Sequence, residues 1–238
     1  MPVIPHTIRC LSLRVIAPDV YEVVFTKPEG FSFRAGQFVL FDVPLIENRD
    51  DIQTRAFSIA SAPSEAALLF VIKLVPHGRA SRWIAELLHE GTEVTMRGPF
   101  GMFVLDPATQ KPFVLVATGA GIAPFRAYIL DAIDRGDRRR IDVLFCVRTQ
   151  ADFFWIEDIE ALARKHGNLG LHVTLSHPSA DWNGLTGRVQ AVLPDLVSDF
   201  MAVTLYACGN PEMTKDVKRL ALTQWGMEKK DVHVEGYI

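Results

Sequence analysis

The segment Thr118-Gly119-Ala120-Gly121-Ile122-Ala123-Pro124 closes an apolar run and opens a helical one. Its two glycines let backbone come close to a ligand, Pro124 suits a first helical position, and a helix start supplies unpaired N–H groups with positive dipole character. That combination makes a candidate pyrophosphate site. It departs from the ordinary dinucleotide fingerprint, because Pro124 stands where a third glycine is expected and the next strand runs into Arg148 rather than an acid. A glycine turn that only joins strand to helix accounts for the segment equally well.

Ala207-Cys208-Gly209-Asn210-Pro211-Glu212-Met213 is a second strand-into-helix junction, with Asn210 as N-cap and Pro211 in the first turn. A cysteine at the carboxyl end of a parallel strand sits where open α/β sheets bind ligands, although a buried, inert thiol is the simpler account. A third group lies earlier in the chain, where Arg55-Ala56-Phe57-Ser58 is followed by Gly78-Arg79-Ala80-Ser81. An arginine with a glycine-flanked helix start can neutralise and hydrogen-bond two linked phosphates, and Phe57 can lie flat on a ring system. Taken alone, Arg55 reads as a surface ion-pair partner and Phe57 as core.

The elements that must position these residues fall into two rhythms. Before Pro107, short strands are expected at 11–16, 21–26, 37–43, 55–60, 68–75 and 93–97, separated by turn residues, which suggests an antiparallel barrel or sandwich. In the first of them Leu11, Leu13 and Val15 alternate with Ser12 and Arg14. One helix interrupts the series, with Ser81 as its expected N-cap and the helix running to Leu88 before Gly91. After Pro107, apolar strands at 114–118, 142–147, 172–176 and 203–207 alternate with helices at 124–134, 156–165, about 187–193 and 212–224. Such runs, buried on both faces and joined by long crossovers, predict a parallel sheet, and a last strand is expected at 232–235. The boundary falls near Asp106–Pro112, giving an N-terminal domain over 1–106 and a C-terminal α/β domain over 112–238.

Composition narrows the function classes. With 49% apolar and 22% charged residues over 238 positions, the chain is an ordinary folded protein. Its 25 basic and 28 acidic residues give a net charge of −3, which offers no field for nucleic acid or an anionic membrane. The apolar run 113–125 is too short to span a bilayer. Cys10, Cys146 and Cys208 are too few to hold a four-cysteine cluster, and their odd number points to a reducing compartment. Met1-Pro2-Val3-Ile4-Pro5-His6 lacks the features of an export signal, so the cytoplasm is the expected location. The histidines form no metal-ligand spacing, and no metal is expected. Arg138-Arg139-Arg140 reads as a solvated turn, with a docking patch for an acidic partner as the sharper alternative.

Taken in order, these segments resemble the ferredoxin–NADP reductase superfamily over nearly the whole chain. They match its R-x-[YF]-[ST] flavin motif, its G-x-x-S flavin-phosphate turn, its G-P-x-G-x-F segment at Gly98-Pro99-Phe100-Gly101-Met102-Phe103, its T-G-x-G-I-A-P loop and its C-G-x-P-x-M segment. The resemblance implies an FAD-binding β-barrel followed by an NAD(P)-binding α/β domain, and hydride transfer from NADH or NADPH to FAD where the two coenzymes meet. Arg55, Ala56, Phe57 and Ser58 would bind FAD, the arginine on the pyrophosphate, the aromatic on the isoalloxazine and the hydroxyl near flavin N5. Gly78, Arg79, Ala80 and Ser81 would hold the flavin phosphates from the other side. Thr118, Gly119, Ala120, Gly121, Arg148, Ser176, His177, Cys208, Gly209 and Met213 would bind NAD(P), with Cys208 beside the nicotinamide. Ser58, Cys208 and Glu235 are the implied catalytic residues.

Two positions depart from the pattern. Phe57 replaces the commoner tyrosine, and Ile238 follows Tyr237, unlike the terminal ring-covering aromatic of the plant-type enzymes. Ser176-His177 stands where NADP-preferring relatives often carry Ser-Arg, and a neutral imidazole is a weaker partner for a 2′-phosphate than an arginine fork. The balance falls to NADH, with Arg148 still able to serve a phosphate. The electron acceptor is expected to be a separate protein, such as a ferredoxin, a flavodoxin or an oxygenase component, or a small diffusible molecule. Two other classes fit the same residues, namely an electron-transfer subunit of a larger redox complex and a non-catalytic flavin- or nucleotide-binding module.

Overall fold

The computed structural model describes residues 4–237, so the reading made on Met1-Pro2-Val3 and the position of Ile238 lie outside the described residues. The chain divides into two compact units, one of Met1–Leu105 with Arg126–Asp134, the other of Asp106–Phe125 with Arg135–Ile238.

The first unit holds strands β1 (His6–Ala17), β2 (Val20–Thr26), β3 (Phe38–Pro44), β4 (Ile52–Ser58), β5 (Ala67–Lys73) and β6 (Glu93–Phe100). They pair antiparallel in the order β4-β3-β6-β1-β2-β5 and form the expected barrel-like domain. β1 is long enough to serve two neighbours: its first residues pair with β6 and the remainder with β2, with a register shift between Cys10 and Ser12. That shift defeats the simple alternation. Ile8 and Cys10 enter the core and Leu13 packs against it, while Leu11 and Val15 are exposed. Phe25, Phe41 and Phe70 meet edge to face at the centre, with centroids 5.0–5.9 Å apart.

Helix α1 (Arg79–Glu86) lays Trp83 and Ile84 on this core. Its N-cap is Gly78 rather than Ser81, because Ser81 lies inside the first turn with its Oγ accepting the Val75 N–H at 2.8 Å. A hydroxyl already spent on the preceding loop cannot cap the helix that follows it.

The second unit is an all-parallel sheet in the order β10-β9-β8-β7-β11-β12, made of β7 (Phe113–Thr118), β8 (Ile141–Val147), β9 (Leu169–Leu175), β10 (Leu185–Thr186), β11 (Thr204–Gly209) and β12 (Val232–Gly236). The central strands are buried on both faces, which is why they read as unbroken apolar runs. Its helices are α3 (Ile156–Lys165), α4 (Val189–Leu196) and α5 (Pro211–Thr223), while α2 (Ala123–Asp134) starts in this unit and has its remainder, Arg126–Asp134, grouped with the first. Val192, Leu193, Met213 and Val217 from α4 and α5 pack with Val114, Val116, Leu144 and Leu205 in one cluster. A 3-10 turn at Gly119–Ile122 precedes α2, so Pro124 is the second residue of that helix and not its first.

Of Arg138-Arg139-Arg140, expected as a solvated turn, Arg138 and Arg140 are exposed and Arg139 is turned inward. Arg139 lies over the Phe113 ring, 4.5 Å from its centroid, and donates to the carbonyls of Asp106 (3.0 Å) and Thr109 (2.7 Å). Tyr206 Oη accepts the Asp106 N–H at 2.9 Å, and Lys111 reaches Asp231 at 2.9 Å. The Asp106–Pro112 segment is thereby pinned along the second unit.

Arg140 forks onto Asp142 at 2.6 and 2.9 Å, and His172 Nε2 stands 3.6 Å from the same carboxylate, at the rim of a cavity of about 230 Å³ near the amino ends of the strands. Burial pushes the Asp142 carboxyl up, but His172 and Arg140 outweigh it and bring it down to about 2. A depressed folded-state value means the contribution to stability is present above the unfolded value near 4 and is lost as pH falls toward 2. Asp142→Asn is expected to cost about 1–2 kcal/mol at pH 7, after discounting for solvent screening, and to cost progressively less below pH 4. Urea titrations of both proteins at pH 7 and pH 3 check this, and an equal difference at the two pH values would contradict it.

No helix among the described residues is long and apolar enough to cross a membrane. All three cysteines are buried and unpaired, and burial is the leading cause that pushes each thiol above the ordinary cysteine range.

Candidate functional site

In the first unit, the pairing Phe41↔Arg55, Val39↔Phe57 and Phe38↔Ser58 fixes which side chains of β4 share a face. Arg55 donates to Gln53 Oε1 at 2.6 Å, its neighbour two residues back, and to the Thr54 carbonyl at 2.8 Å. Both acceptors are neutral, so among the described residues no carboxylate compensates this guanidinium. Phe57 is half-buried with its ring 5.0 Å from Phe41, so one face is core and the other remains available. Ala56 is exposed, and Ser58, at the carboxyl end of the strand, is half-buried.

The α1 start carries no side-chain cap and no acid in its first turn. A Cβ on Gly78 would come 2.7 Å from Val75 Cγ2 and 2.9 Å from Ser81 Oγ, so this glycine is required by the packing of its own loop. Arg79 is committed elsewhere, since both terminal nitrogens grip the Asp51 carboxylate at 3.0 Å. What Arg79, Ala80 and Ser81 offer a phosphate is therefore backbone. An uncompensated arginine together with an uncapped helix start fits an anionic diphosphate.

In the second unit the strand order changes direction between β7 and β11, the place where open sheets bind nucleotides beyond their carboxyl ends. The two glycines of the β7 turn do different things. Gly119 has φ +51° and open space where a Cβ would stand, whereas a Cβ on Gly121 would lie 2.2 Å from the Cys208 carbonyl oxygen. Gly119 is the residue free to approach a ligand, and Gly121 is the one that lets the turn seat against β11. Thr118 Oγ1 accepts the Asn210 N–H at 2.8 Å, and Gly209, at φ +127°, leaves room for that hydroxyl. Ala120 is buried within the turn, which has no acid in it. The bare turn fits a pyrophosphate.

Beside it, Asn210 caps α5 by accepting the N–H groups of Glu212 and Met213 at 2.9 and 3.1 Å. Met213 itself turns into the core. Cys208 is fully buried and pairs in register with Glu235 on β12. Burial first, and then the charge of Glu235, push its thiol up, while a hydrogen bond with Tyr237 pulls the other way. The result is a neutral S–H, unsuited to act as a nucleophile.

Arg148, Ser176 and His177 follow β8 and β9 on the opposite side of the Gly119 turn. The His177 N–H reaches the Arg148 carbonyl at 2.8 Å, and Ser176 Oγ and His177 Nδ1 are 3.1 Å apart. The proposed groups are thus divided between the units, with Arg55–Ser58 on β4 and Gly78–Ser81 at α1 in the first, and the Gly119 turn, Cys208–Gly209, Glu235, Arg148, Ser176 and His177 in the second. Sequence reasoning missed Gln53 and Asp51. Gln53 shares the strand face of Arg55 by the period of two, a usable signal, whereas nothing local ties Asp51 to Arg79.

Residues 10–105 match the oxidoreductase FAD-binding domain and residues 115–219 the oxidoreductase NAD-binding domain. The chain is 32% identical to a ferredoxin–NADP reductase B from Sorangium cellulosum, over 98% of both chains. It is 31% identical to the reductase component of phenol 2-monooxygenase from a Pseudomonas species, over 93% of this chain and 62% of that one. Among solved structures, the Amycolatopsis cytochrome P450 reductase GcoB superposes with TM-score 0.90 at 26% identity, covering 99% of this chain and 70% of that one. A ferredoxin NADP+ reductase from Neisseria gonorrhoeae shares the fold at TM-score 0.82 and 21% identity, over 98% of each chain. On sequence and architecture together, this chain belongs to the ferredoxin–NADP reductase family of FAD- and NAD(P)-dependent flavoprotein oxidoreductases.

Proposed function

We propose that the protein takes electrons from NAD(P)H through FAD and delivers them to a separate acceptor, either a small electron-carrier protein or an oxygenase component. The observation that carries this reading is the seating of the bare Gly119 turn against the strand that holds Cys208, at the switch point of the sheet. When bound, the coenzymes supply the chemistry, a hydride passing from nicotinamide to flavin and electrons leaving one or two at a time. The chain positions them. Arg55 and the α1 backbone hold the flavin diphosphate, and Phe57 lends a flat apolar wall supported by Phe41.

Cys208, neutral and fully buried at the end of β11, is proposed to back the surface that meets the reacting ring, and Glu235 and Ser58 are the groups proposed to hold or pass protons. The relatives whose names mention ferredoxin and phenol 2-monooxygenase support an acceptor of those two kinds.

Purified protein given FAD is expected to turn yellow and to bleach anaerobically when NAD(P)H is added. Failure to retain FAD would overturn the reading. Cys208→Ala is expected to leave FAD content unchanged and slow bleaching by about 10- to 100-fold, the scale set by loss of a near-attack geometry. Stopped-flow absorbance checks it, and an unchanged rate would remove Cys208 from the reacting end.

A further inference from the structure

We infer that Asp51 is a positioning residue for FAD: by gripping Arg79 it fixes the start of α1 against the strand that carries Arg55, and so sets the spacing between the two parts of the diphosphate site. The inference rests on the FAD-binding reading above, in which Arg55 and the backbone at the start of α1 hold the diphosphate.

Those two parts come from segments far apart in the chain. β4 closes one end of its sheet and pairs with β3, and the Leu45 N–H donates to the Asp51 carbonyl at 2.9 Å, which carries that ladder one residue beyond the strand. Asp51, Gln53 and Arg55 recur at the period of two and so share one strand face. Along this row Gln53 accepts from Arg55 at 2.6 Å, and Asp51 is the member that α1 reaches. Arg79 donates to both of its carboxylate oxygens at 3.0 Å and to its carbonyl at 2.8 Å. A forked guanidinium with a third bond to backbone fixes direction as well as distance.

The remainder of α1 is anchored elsewhere. Ser81 Oγ accepts the Val75 N–H in the loop after β5, and Trp83 and Ile84 enter the barrel core. Two ion pairs tie the helix to the loop between β3 and β4, Arg79 with Asp51 and Arg82 with Glu47. The Arg79 side chain is 13% exposed against 42% for Arg82, so water and salt weaken the outer pair more. The inner pair is the one that sets the geometry. Donors on two separate elements bridge one diphosphate only when both are held to within about 0.5 Å of the productive arrangement. Arg79 also starts the helix whose free N–H groups face the phosphates, so its tether acts on those groups directly.

The sign of the effect separates positioning from competition. Were Asp51 only withholding Arg79 from the phosphates, its removal would tighten FAD; as a positioning residue, its removal loosens FAD. The test is release of FAD from the holoenzyme on dilution, followed by flavin fluorescence, with FAD affinity of the stripped protein titrated alongside, for Asp51→Ala, Arg79→Ala and the double variant. Each single variant is expected to weaken FAD about tenfold and the double variant no more than either, because all three remove the same interaction. Asp51→Asn keeps one acceptor for Arg79 and is expected to lose only about threefold. The melting temperature of the FAD-free variants is expected to fall by no more than about 4 °C, the scale for one partly exposed ion pair in a chain of this size.

Tighter FAD binding by Asp51→Ala, additive losses in the double variant, or a lower melting temperature with FAD release unchanged would each overturn the inference. Arg55→Ala serves as the reference. Loss of FAD in Arg55→Ala but not in Asp51→Ala would remove the tether and leave the site standing, and retention of FAD by both would overturn the inference together with the reading beneath it.

Discussion

Gly121→Ala is expected to destabilise the second unit by about 3 kcal/mol or more, at the upper end of what overpacking costs. The added Cβ would stand 2.2 Å from the Cys208 carbonyl oxygen, 2.5 Å from its carbon and 2.6 Å from Gly209 Cα. All three are backbone atoms of β11, a strand hydrogen-bonded to β7 on one side and β12 on the other. No side chain can rotate out of the way. Either the turn lifts off β11 or the strand leaves its ladder, and both outcomes spoil the pyrophosphate turn.

Gly119→Ala is the matched control. It has open space around the new methyl and suffers only the left-handed φ of +51°, a penalty of about 1–2 kcal/mol for a residue with a Cβ. Urea midpoints of the two variants, with 5′-ADP affinity measured alongside, separate close packing from backbone strain. Equal losses would show that the seating of Gly121 on β11 has been misjudged.

Arg55→Ala is expected to weaken FAD binding by about 100-fold, the loss of one or two hydrogen bonds to a charged group at roughly 1.5–3 kcal/mol each. Its present partners, Gln53 and the Thr54 carbonyl, lie on its own strand and need no arginine to remain solvated, so the melting temperature of the FAD-free protein should hardly move. Arg55→Lys keeps the charge but loses the fork, and an intermediate loss of about tenfold is expected. Fluorescence titration with FAD measures all three proteins. Retention of full affinity in Arg55→Ala would place the diphosphate elsewhere.

The legibility of this chain follows the range of its interactions. Helix α3 stands at Ile156–Lys165 as its periodicity predicts, because Ile159 faces inward and acids and bases occupy the favourable ends. The parallel strands were equally plain, being buried on both faces. β10 escaped notice because two residues acquire strand character only from pairing with β9. The exposed Leu11 and Val15 show how one register shift inverts the meaning of an alternating pattern. In the candidate site, the short segments around Arg55, Gly119 and Cys208 were readable because their glycines, caps and strand ends are local. The division of labour between Gly119 and Gly121 was not, since it depends on a strand nearly ninety positions away, and neither was the capture of Arg79 by Asp51 or of Arg139 by Phe113.

One feature of the sulfur chemistry bears on life in air. A reduced flavoprotein leaks electrons to dioxygen, and the peroxide so formed attacks thiolates far faster than thiols. Cys10, Cys146 and Cys208 are each buried and held protonated at neutral pH, so none presents the species that peroxide seeks. Self-inflicted oxidation then falls on the exposed thioethers of Met102 and Met201, 77% and 63% accessible, where conversion to sulfoxide leaves both cores untouched.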